Sequence, residues 1–437
     1  MPPAYMDEVF HVRQTQQYCK GDFASWDPKI TTFPGLYITG ASHAALIYGA
    51  LKPFRDLSLE EVCHTTLLRT VNVLLAAACY LIICNIYRKL HPQVTTSYAM
   101  LMAVTLTLFP LHFFFIFFYY TDVGSLTFTM AGYLAALHKR SFLAAALAGA
   151  SVLFRQTNAV WAVFILVAAV SQRCFRQERA KWRDAPLETQ IVQLIKYCWQ
   201  HKGGLLLEVG PLASVPLAFA AFVVWNGGVV VGDKGNHQAS PHLMQPLYFV
   251  LFCALALYPI FWNPRKLTQG AQKMLRSFQS KPITLIRLLA TATILAHYVV
   301  EKYTIVHPFL LADNRHYTFY LWKKVLSAHP LAPHMLVPAY LYSGWSLWEG
   351  LRTSKQLSLL VAAGMICTIA VLVPAPLIEF RYFTIPFVML VLHMKPPVPG
   401  QLYVTAALWA LVNAVTLYEF LFAPYTFADG SRPRLMW

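Results

Sequence analysis

The chain has 437 residues, of which 57% are hydrophobic and only 12% charged, with a mean hydropathy of +0.49 and a formal net charge of +16. A soluble domain carries about 25% charged residues, so this chain has too little polar surface for a water-soluble fold of its size. The same numbers exclude intrinsic disorder, eight cysteines are too sparse for a secreted disulfide scaffold, and bases scattered between apolar runs do not form a nucleic-acid footprint.

What remains is an all-α polytopic membrane protein. Crossing ~30 Å of hydrocarbon takes roughly 20 helical residues. Apolar runs at 67–87, 98–118, 158–170, 211–231, 244–262, 283–300, 357–373, 378–392 and 402–422 are the clear candidates, and 123–137, 142–154 and 335–348 are shorter ones. About twelve transmembrane helices are expected. The runs are continuous rather than alternating, which argues for helices over barrel strands.

Lys and Arg gather in alternate loops: 173–202, 265–281, Arg88-Lys89, Lys139-Arg140, Arg352 with Lys355, and Lys395. By the positive-inside rule these loops are cytosolic. The division that follows is a luminal loop with interfacial helices over 1–66, an N-terminal transmembrane part over 67–172, a basic cytosolic loop over 173–210, and a C-terminal transmembrane part over 211–437. That last part carries luminal loops at 232–245, 301–334 and 374–383. Cys19 and Cys63 share the long first loop and can pair if it is luminal.

Polar clusters collect on the luminal side. In the first, Tyr5-Met6-Asp7-Glu8-Val9-Phe10-His11, neighbouring acids on a helix point about 100° apart, so at most one faces a given pocket. A carboxylate there can take a proton from a sugar hydroxyl; the plain alternative is an acidic helix start. Trp26-Asp27-Pro28 with Ile30-Thr31-Thr32 reads as an ordered turn. Asp122 ends the aromatic run Phe118-Tyr119-Tyr120 and is either a helix cap or functional. Arg155, with Gln156, Thr157 and Asn158, lies between two apolar arms. At that depth it needs an anionic partner, protein carboxylate or phosphate. Asp233 and His237 sit in a turn after Gly227-Gly228. The run His307 to Tyr317 packs Asp313, Asn314, Arg315, His316 and Tyr317 together, and Glu379 with Arg381 repeats the idea. Together these clusters suggest a carbohydrate pocket, where aromatics stack on sugar faces and planar polar groups bind vicinal hydroxyls. There is no His-Glu-x-x-His, Cys-x-x-Cys or Asp-x-Asp, so metal chemistry has no support in the sequence.

These motifs resemble one family: the endoplasmic-reticulum α-1,2-glucosyltransferases that use dolichyl-phosphate-glucose to add the last glucose to the lipid-linked oligosaccharide. The resemblance runs from Tyr5 to Trp437, and the stretch from Leu311 to Tyr317 is its most specific part. It implies a GT-C glycosyltransferase fold, a luminal active site in the endoplasmic-reticulum membrane and an inverting reaction. Its substrates would be dolichyl-phosphate-glucose and the diglucosylated dolichyl-diphosphate oligosaccharide. No cofactor or metal is implied, since the lipid-phosphate sugar is itself a substrate. The partners are then these two lipids and the membrane, with no nucleic acid.

Carried onto this chain, the base is Asp7, with Glu8 as second choice. The leaving phosphate is covered by Arg315, Arg155 or Arg381. Asp122, Gln156, Asp233, His237, Asp313, Asn314, His316, Tyr317 and Glu379 are candidates for holding sugar. The family is expected to carry a membrane helix ahead of the Tyr-Met-Asp-Glu motif, whereas here only Met1 to Ala4 precede it. The expectation is a chain without that first helix. The competing readings are a GT-C transferase of another sugar, such as a mannosyltransferase, and a polytopic transporter. A transporter would place ionisable groups at mid-membrane and show related halves.

Overall fold

A computed structural model describes residues 2–176, 179–235, 239–354, 356–426 and 432–437. Among them there are helices and no strands; the one β-type pairing is an isolated parallel bridge between His316 and Met436. The chain folds as two compact units, Met1–Gln238 with Gln356–Cys367, and Ala239–Lys355 with Thr368–Trp437.

The first unit contains Glu8–Cys19 (α1), Gly35–Leu51 (α2), Leu59–Val62 (α3), Thr65–Leu90 (α4), Thr96–Thr107 (α5), Pro110–Phe115 (α6), Thr121–Leu137 (α7), Ser141–Phe154 (α8), Asn158–Cys174 (α9), Arg179–Arg183 (α10), Leu187–Gln200 (α11) and Lys202–Asn226 (α12). The second contains Gln245–Ala256 (α13), Tyr258–Phe261 (α14), Pro264–Ser280 (α15), Pro282–Tyr303 (α16), Pro308–Ala312 (α17), Tyr317–Leu321 (α18), Ala332–Met335 (α19) and Val337–Arg352 (α20). Ser358–Leu372 (α21) belongs to the first unit as far as Cys367 and to the second from Thr368, and the second unit continues with the 3-10 turn Phe380–Phe383, Thr384–His393 (α22) and Pro399–Phe422 (α23).

Each of the twelve apolar runs falls largely in helix. Three are broken where a proline interrupts the ladder, one of them 335–348, which splits at Leu336 just ahead of Pro338. The run 98–118 splits before Pro110, and 244–262 splits at Leu257, just ahead of Pro259. By contrast α12 runs straight through Pro211 and Pro216. Among the described residues four helices, α4, α12, α16 and α23, are long and apolar enough to cross a membrane. Their surfaces suit that: on α12 Val224 and Trp225 are 84% and 83% exposed, and Ile283, Leu288 and Ile294 of α16 are similarly open. Helices apolar on their outward face belong in hydrocarbon rather than water.

In the first unit α7 is the most enclosed helix, packed by α4, α8 and α9. The first loop folds down onto this bundle. Val12, Tyr18, Ile30, Leu36, Tyr37 and Ala44 share one core with Leu68 and Val71 of α4, Tyr119, and Phe154 of α8. Cys19 and Cys63 are joined as a disulfide within that core. The bond ties the end of α1 to the residue after α3 and closes a separation of 44 residues. The loop-entropy estimate for that length is about 4 kcal/mol. A Cys63→Ser variant is therefore expected to melt well below the parent, and both should melt alike once the parent is reduced. Equal melting of the oxidised parent and the variant would count against a stabilising bridge.

In the second unit Met244, Ala296, Val300, Val337 and Tyr340 form one buried cluster, and Phe383, Phe387, Leu392 and Phe420 are buried as well. Its helix α15 carries Arg265, Lys266, Lys273 and Arg276, and Lys273 pairs with Glu349 of α20.

Candidate active site

Asp7 is the residue from which α1 springs. Met6 before it has φ +56°, a left-handed turn that a residue with a side chain adopts only when its surroundings hold it. The Asp7 carbonyl accepts from the amides of Phe10 and His11 at 3.0 and 3.1 Å, so the helix starts at the acid itself. The Asp7 side chain is half-buried. Burial raises the Tyr37 phenol far above its ordinary range, with the nearby Thr32 hydroxyl opposing. The neighbouring Tyr119, Tyr18 and Asp7 add to the rise, which places the Asp7 charge near that ring. His11 meets the Tyr37 hydroxyl at 2.8 Å and stands edge-on to Tyr120.

Glu8 goes the other way. It is 0% exposed and accepts four hydrogen bonds: from Arg69 Nε at 2.7 Å, from a terminal Arg69 nitrogen at 2.6 Å, from the Tyr119 amide at 2.8 Å and from the Tyr5 amide at 3.2 Å. Arg69 lies in the second turn of α4 and also donates to the carbonyls of Pro2 and Pro3. One turn further along α4, Asn72 donates to the carbonyls of Phe118 and Tyr120 at 2.6 and 2.9 Å. Arg69 and Asn72, spaced i and i+3, thus clamp the acidic turn and the aromatic run together. Tyr119 closes the mount. Its hydroxyl donates to the Leu36 carbonyl at 2.8 Å and meets Thr15 at 2.9 Å. A Cβ on Gly40 would lie 1.9 Å from that hydroxyl, so only glycine admits the ring there.

Asp122 and Arg155 were expected in different roles, and the structure pairs them at 3.4 Å. Arg155 Nε also reaches the Thr121 hydroxyl at 3.4 Å. The partner that Arg155 needed between its apolar arms is thus a protein carboxylate. Gln156 is buried and donates to the Thr31 carbonyl, which also accepts from the Val231 amide at 3.2 Å. The Trp26–Thr32 turn is therefore held by the segment between α8 and α9 and by the segment carrying Asp233. A Cβ on Gly232 would strike the Pro28 carbonyl at 2.4 Å. Asp233 follows at φ +41°. His237 lies outside the described residues.

In the second unit, Asp313 folds back on the residues after it. One oxygen accepts from the Arg315 amide at 3.0 Å, a turn that short acids favour. The carboxylate then takes the guanidinium fork at 2.7 and 2.8 Å, with His316 at 3.8 Å. Burial works to raise this carboxyl, but the Arg315 hydrogen bonds and the neighbouring charges outweigh it, and Asp313 is held below the usual carboxylate range. Arg381 pairs with Glu379 differently: one terminal nitrogen donates to both carboxylate oxygens, at 2.9 and 3.0 Å. Both arginines thus sit two residues after a carboxylate that orients them. Asn314 is fixed by the Tyr425 hydroxyl, and the Tyr317 hydroxyl donates to Glu419 of α23 at 2.6 Å.

The tail 432–437 completes this region. Met436 pairs with the backbone on either side of His316, donating to the Arg315 carbonyl and accepting from the Tyr317 amide. The Trp437 ring stands 4.8 Å from Tyr317 and 6.3 Å from Phe380. It therefore bridges the loop of Arg315 and the turn of Arg381. Among the described residues no three His, Cys, Asp or Glu side chains converge as metal ligands.

The first unit therefore brings together Asp7, Glu8, Asp122, Arg155, Gln156 and Asp233 around one end of α4 and α7. The second gathers Asp313 to Tyr317 with Glu379 and Arg381. Sequence reasoning missed Arg69, Asn72, Glu419 and the 432–437 tail. A charge two residues inside the run 67–87 was the available signal for Arg69.

The DIE2/ALG10 family model matches residues 1–392. An Arabidopsis thaliana protein named Dol-P-Glc:Glc(2)Man(9)GlcNAc(2)-PP-Dol alpha-1,2-glucosyltransferase is 35% identical, over 100% of this chain and 95% of its own length. Proteins of the same name from Rattus norvegicus and Homo sapiens are 35% and 34% identical, each over 99% of this chain and 93% of their own. No solved structure matches the chain significantly. The chain belongs to the DIE2/ALG10 family.

Proposed function

We propose that this protein transfers glucose from dolichyl-phosphate-glucose to the 2-hydroxyl of the terminal glucose on the diglucosylated dolichyl-diphosphate oligosaccharide, with inversion at the anomeric carbon. Its relatives carry that donor and acceptor in their names. The observation that carries the mechanism is the split of the adjacent acids. Glu8 is spent inside the fold, while Asp7 is half-buried on a turn that Glu8 locks.

The acceptor hydroxyl is neutral and a poor nucleophile, so a placed base is needed. Asp7 takes its proton as the oxygen attacks C1. The bond from C1 to the phosphate oxygen breaks, and dolichyl phosphate leaves with the electron pair. Arg315 and Arg381, held in fixed orientation by Asp313 and Glu379, supply the positive cover that the leaving phosphate needs. Asn314, His316 and Tyr317 beside them are the sugar contacts. Arg155 is paired with Asp122, which makes it a weaker choice for the phosphate. No cofactor enters this reading.

The architecture we infer is a GT-C bundle of about twelve spans in the endoplasmic-reticulum membrane, its acid turn facing the lumen. The four long apolar helices support the membrane placement, and the Cys19–Cys63 disulfide supports an oxidising compartment for the first loop. The test is a profile of lipid-linked oligosaccharides in cells that lack their own α-1,2-glucosyltransferase. Such cells should accumulate the diglucosylated species, and expressing this chain should convert it to the triglucosylated one. Persistence of the diglucosylated species beside full expression of the chain would reject the assignment.

A further inference from the structure

A second site lies at the opposite end of the same helices. Asp122 stands in the first turn of α7 and Lys139 just beyond its last, so the 17 residues of α7 set them about 25 Å apart. There a cavity of about 540 Å³ opens between the start of α8, the end of α9, α11 and the first turns of α12. That is a size that takes ligands. Three cations line it, Lys139, Arg173 and Arg176, against the single carboxylate of Glu208.

These cations are not equivalent. Arg173 is fixed: it pairs with Glu208, donates to the Ala169 carbonyl at 3.0 Å and reaches the Ser141 hydroxyl at 3.2 Å. Glu208 is thereby neutralised. Lys139 and Arg176 are exposed and have no ion-pair partner among the described residues, so the cavity keeps an excess of about two positive charges. The rim is apolar on one side. Phe142 and Leu207, at the starts of α8 and α12, are 75% and 78% exposed. Leu207 sits near the end of one of the four helices long enough to span, so the cavity lies at membrane-surface depth.

We infer that this cavity binds the head group of an anionic phospholipid. Its phosphate would lie between Lys139 and Arg176, and its acyl chains would run along Phe142 and Leu207. Basic hollows between membrane helices at the surface select such head groups through charge that zwitterionic lipids do not offer. The uncovered apolar rim favours a lipid over a soluble phosphate ester, which would leave Phe142 and Leu207 bare. The inference rests on the chain crossing a membrane but not on the glucose transfer proposed above.

The test is native mass spectrometry of the full chain in detergent, titrated separately with phosphatidylinositol, phosphatidylcholine and free inositol 1-phosphate. One phosphatidylinositol should be retained at least tenfold more tightly than either alternative. Lys139→Ala with Arg176→Ala should weaken it tenfold or more with no change in melting. Arg265→Ala with Lys266→Ala, which removes equal charge from α15, should leave it unaltered. Undiminished binding by the Lys139/Arg176 variant, an equal loss in the α15 variant, or inositol phosphate binding as tightly as the lipid would each overturn the inference. Binding is read without turnover, so its failure is separable from any failure of the enzymatic reading.

Discussion

Replacing Asp7 by Asn is expected to remove glucose transfer while leaving the fold intact. The change keeps the size and the cap position of the residue, and the backbone bonds that start α1 come from the Asp7 carbonyl rather than its carboxylate. Glu8, Arg69, Asn72 and Tyr119 still hold the turn. What disappears is the group to which the proposed mechanism gives the proton of the attacking hydroxyl, worth about 10²- to 10⁴-fold in rate for a placed base. The measurement is the initial rate of transfer from dolichyl-phosphate-glucose to a diglucosylated acceptor in membranes, at matched protein level. Turnover close to the parent's would remove Asp7 from the chemistry.

Arg69→Ala should fail in the other way. The Glu8–Arg69 pair is almost wholly buried, with side-chain exposures of 0% and 6%. Losing one partner of such a pair costs about 3–5 kcal/mol, because the remaining charge stays buried without compensation. Here the orphan is a carboxylate already inside the core beside Tyr119. The expected result is a protein that melts far lower or accumulates poorly, with activity lost in proportion to folded protein. Removing both charges, as Glu8→Gln with Arg69→Met, should recover part of the stability lost in Arg69→Ala, since no uncompensated charge remains. An Arg69→Ala protein that melts like the parent would show that the pair contributes little. The two variants also separate roles within one motif: Asp7→Asn lowers the rate per folded molecule, and Arg69→Ala lowers the number of folded molecules.

The helices were legible because apolar runs and proline breaks are local signals. The interruption at Pro110 needs only the proline's missing amide and its ring. The two cysteines of the first loop could be named as possible partners on compartment chemistry alone. The polar clusters were legible as clusters, but their pairings were not. Glu8 and Arg69 are 61 residues apart, and Tyr317 and Glu419 are 102 apart. Nothing in either neighbourhood names the other. Arg155 shows the limit well: its depth demanded an anion, and only the fold decides that Asp122 supplies one. The docking of Met436 and Trp437 beside His316 was still less visible, because backbone pairing leaves no side-chain signature. The carboxylates at 313 and 379 looked like sugar ligands in the sequence. In the structure each pairs with the arginine two residues further on, Arg315 and Arg381, a contact that the sequence did not name.

The Glu8–Arg69 bond also has a consequence for the order in which the chain is made. Synthesis runs from the N-terminus, so Glu8 exists 61 residues before Arg69, whereas the Tyr119 amide arrives 111 residues after Glu8. An arginine alone at the centre of a membrane helix costs about 3 kcal/mol, and one nearer the end, like Arg69, costs less but still carries a penalty. When α4 partitions into lipid, its counter-charge is already waiting, provided the first loop has been delivered to the side where Arg69 emerges. An α4 inserted the other way round carries Arg69 away from Glu8 and keeps that penalty. One ion pair therefore links the orientation of the first long helix to the safe arrival of the acidic turn at Asp7 and Glu8.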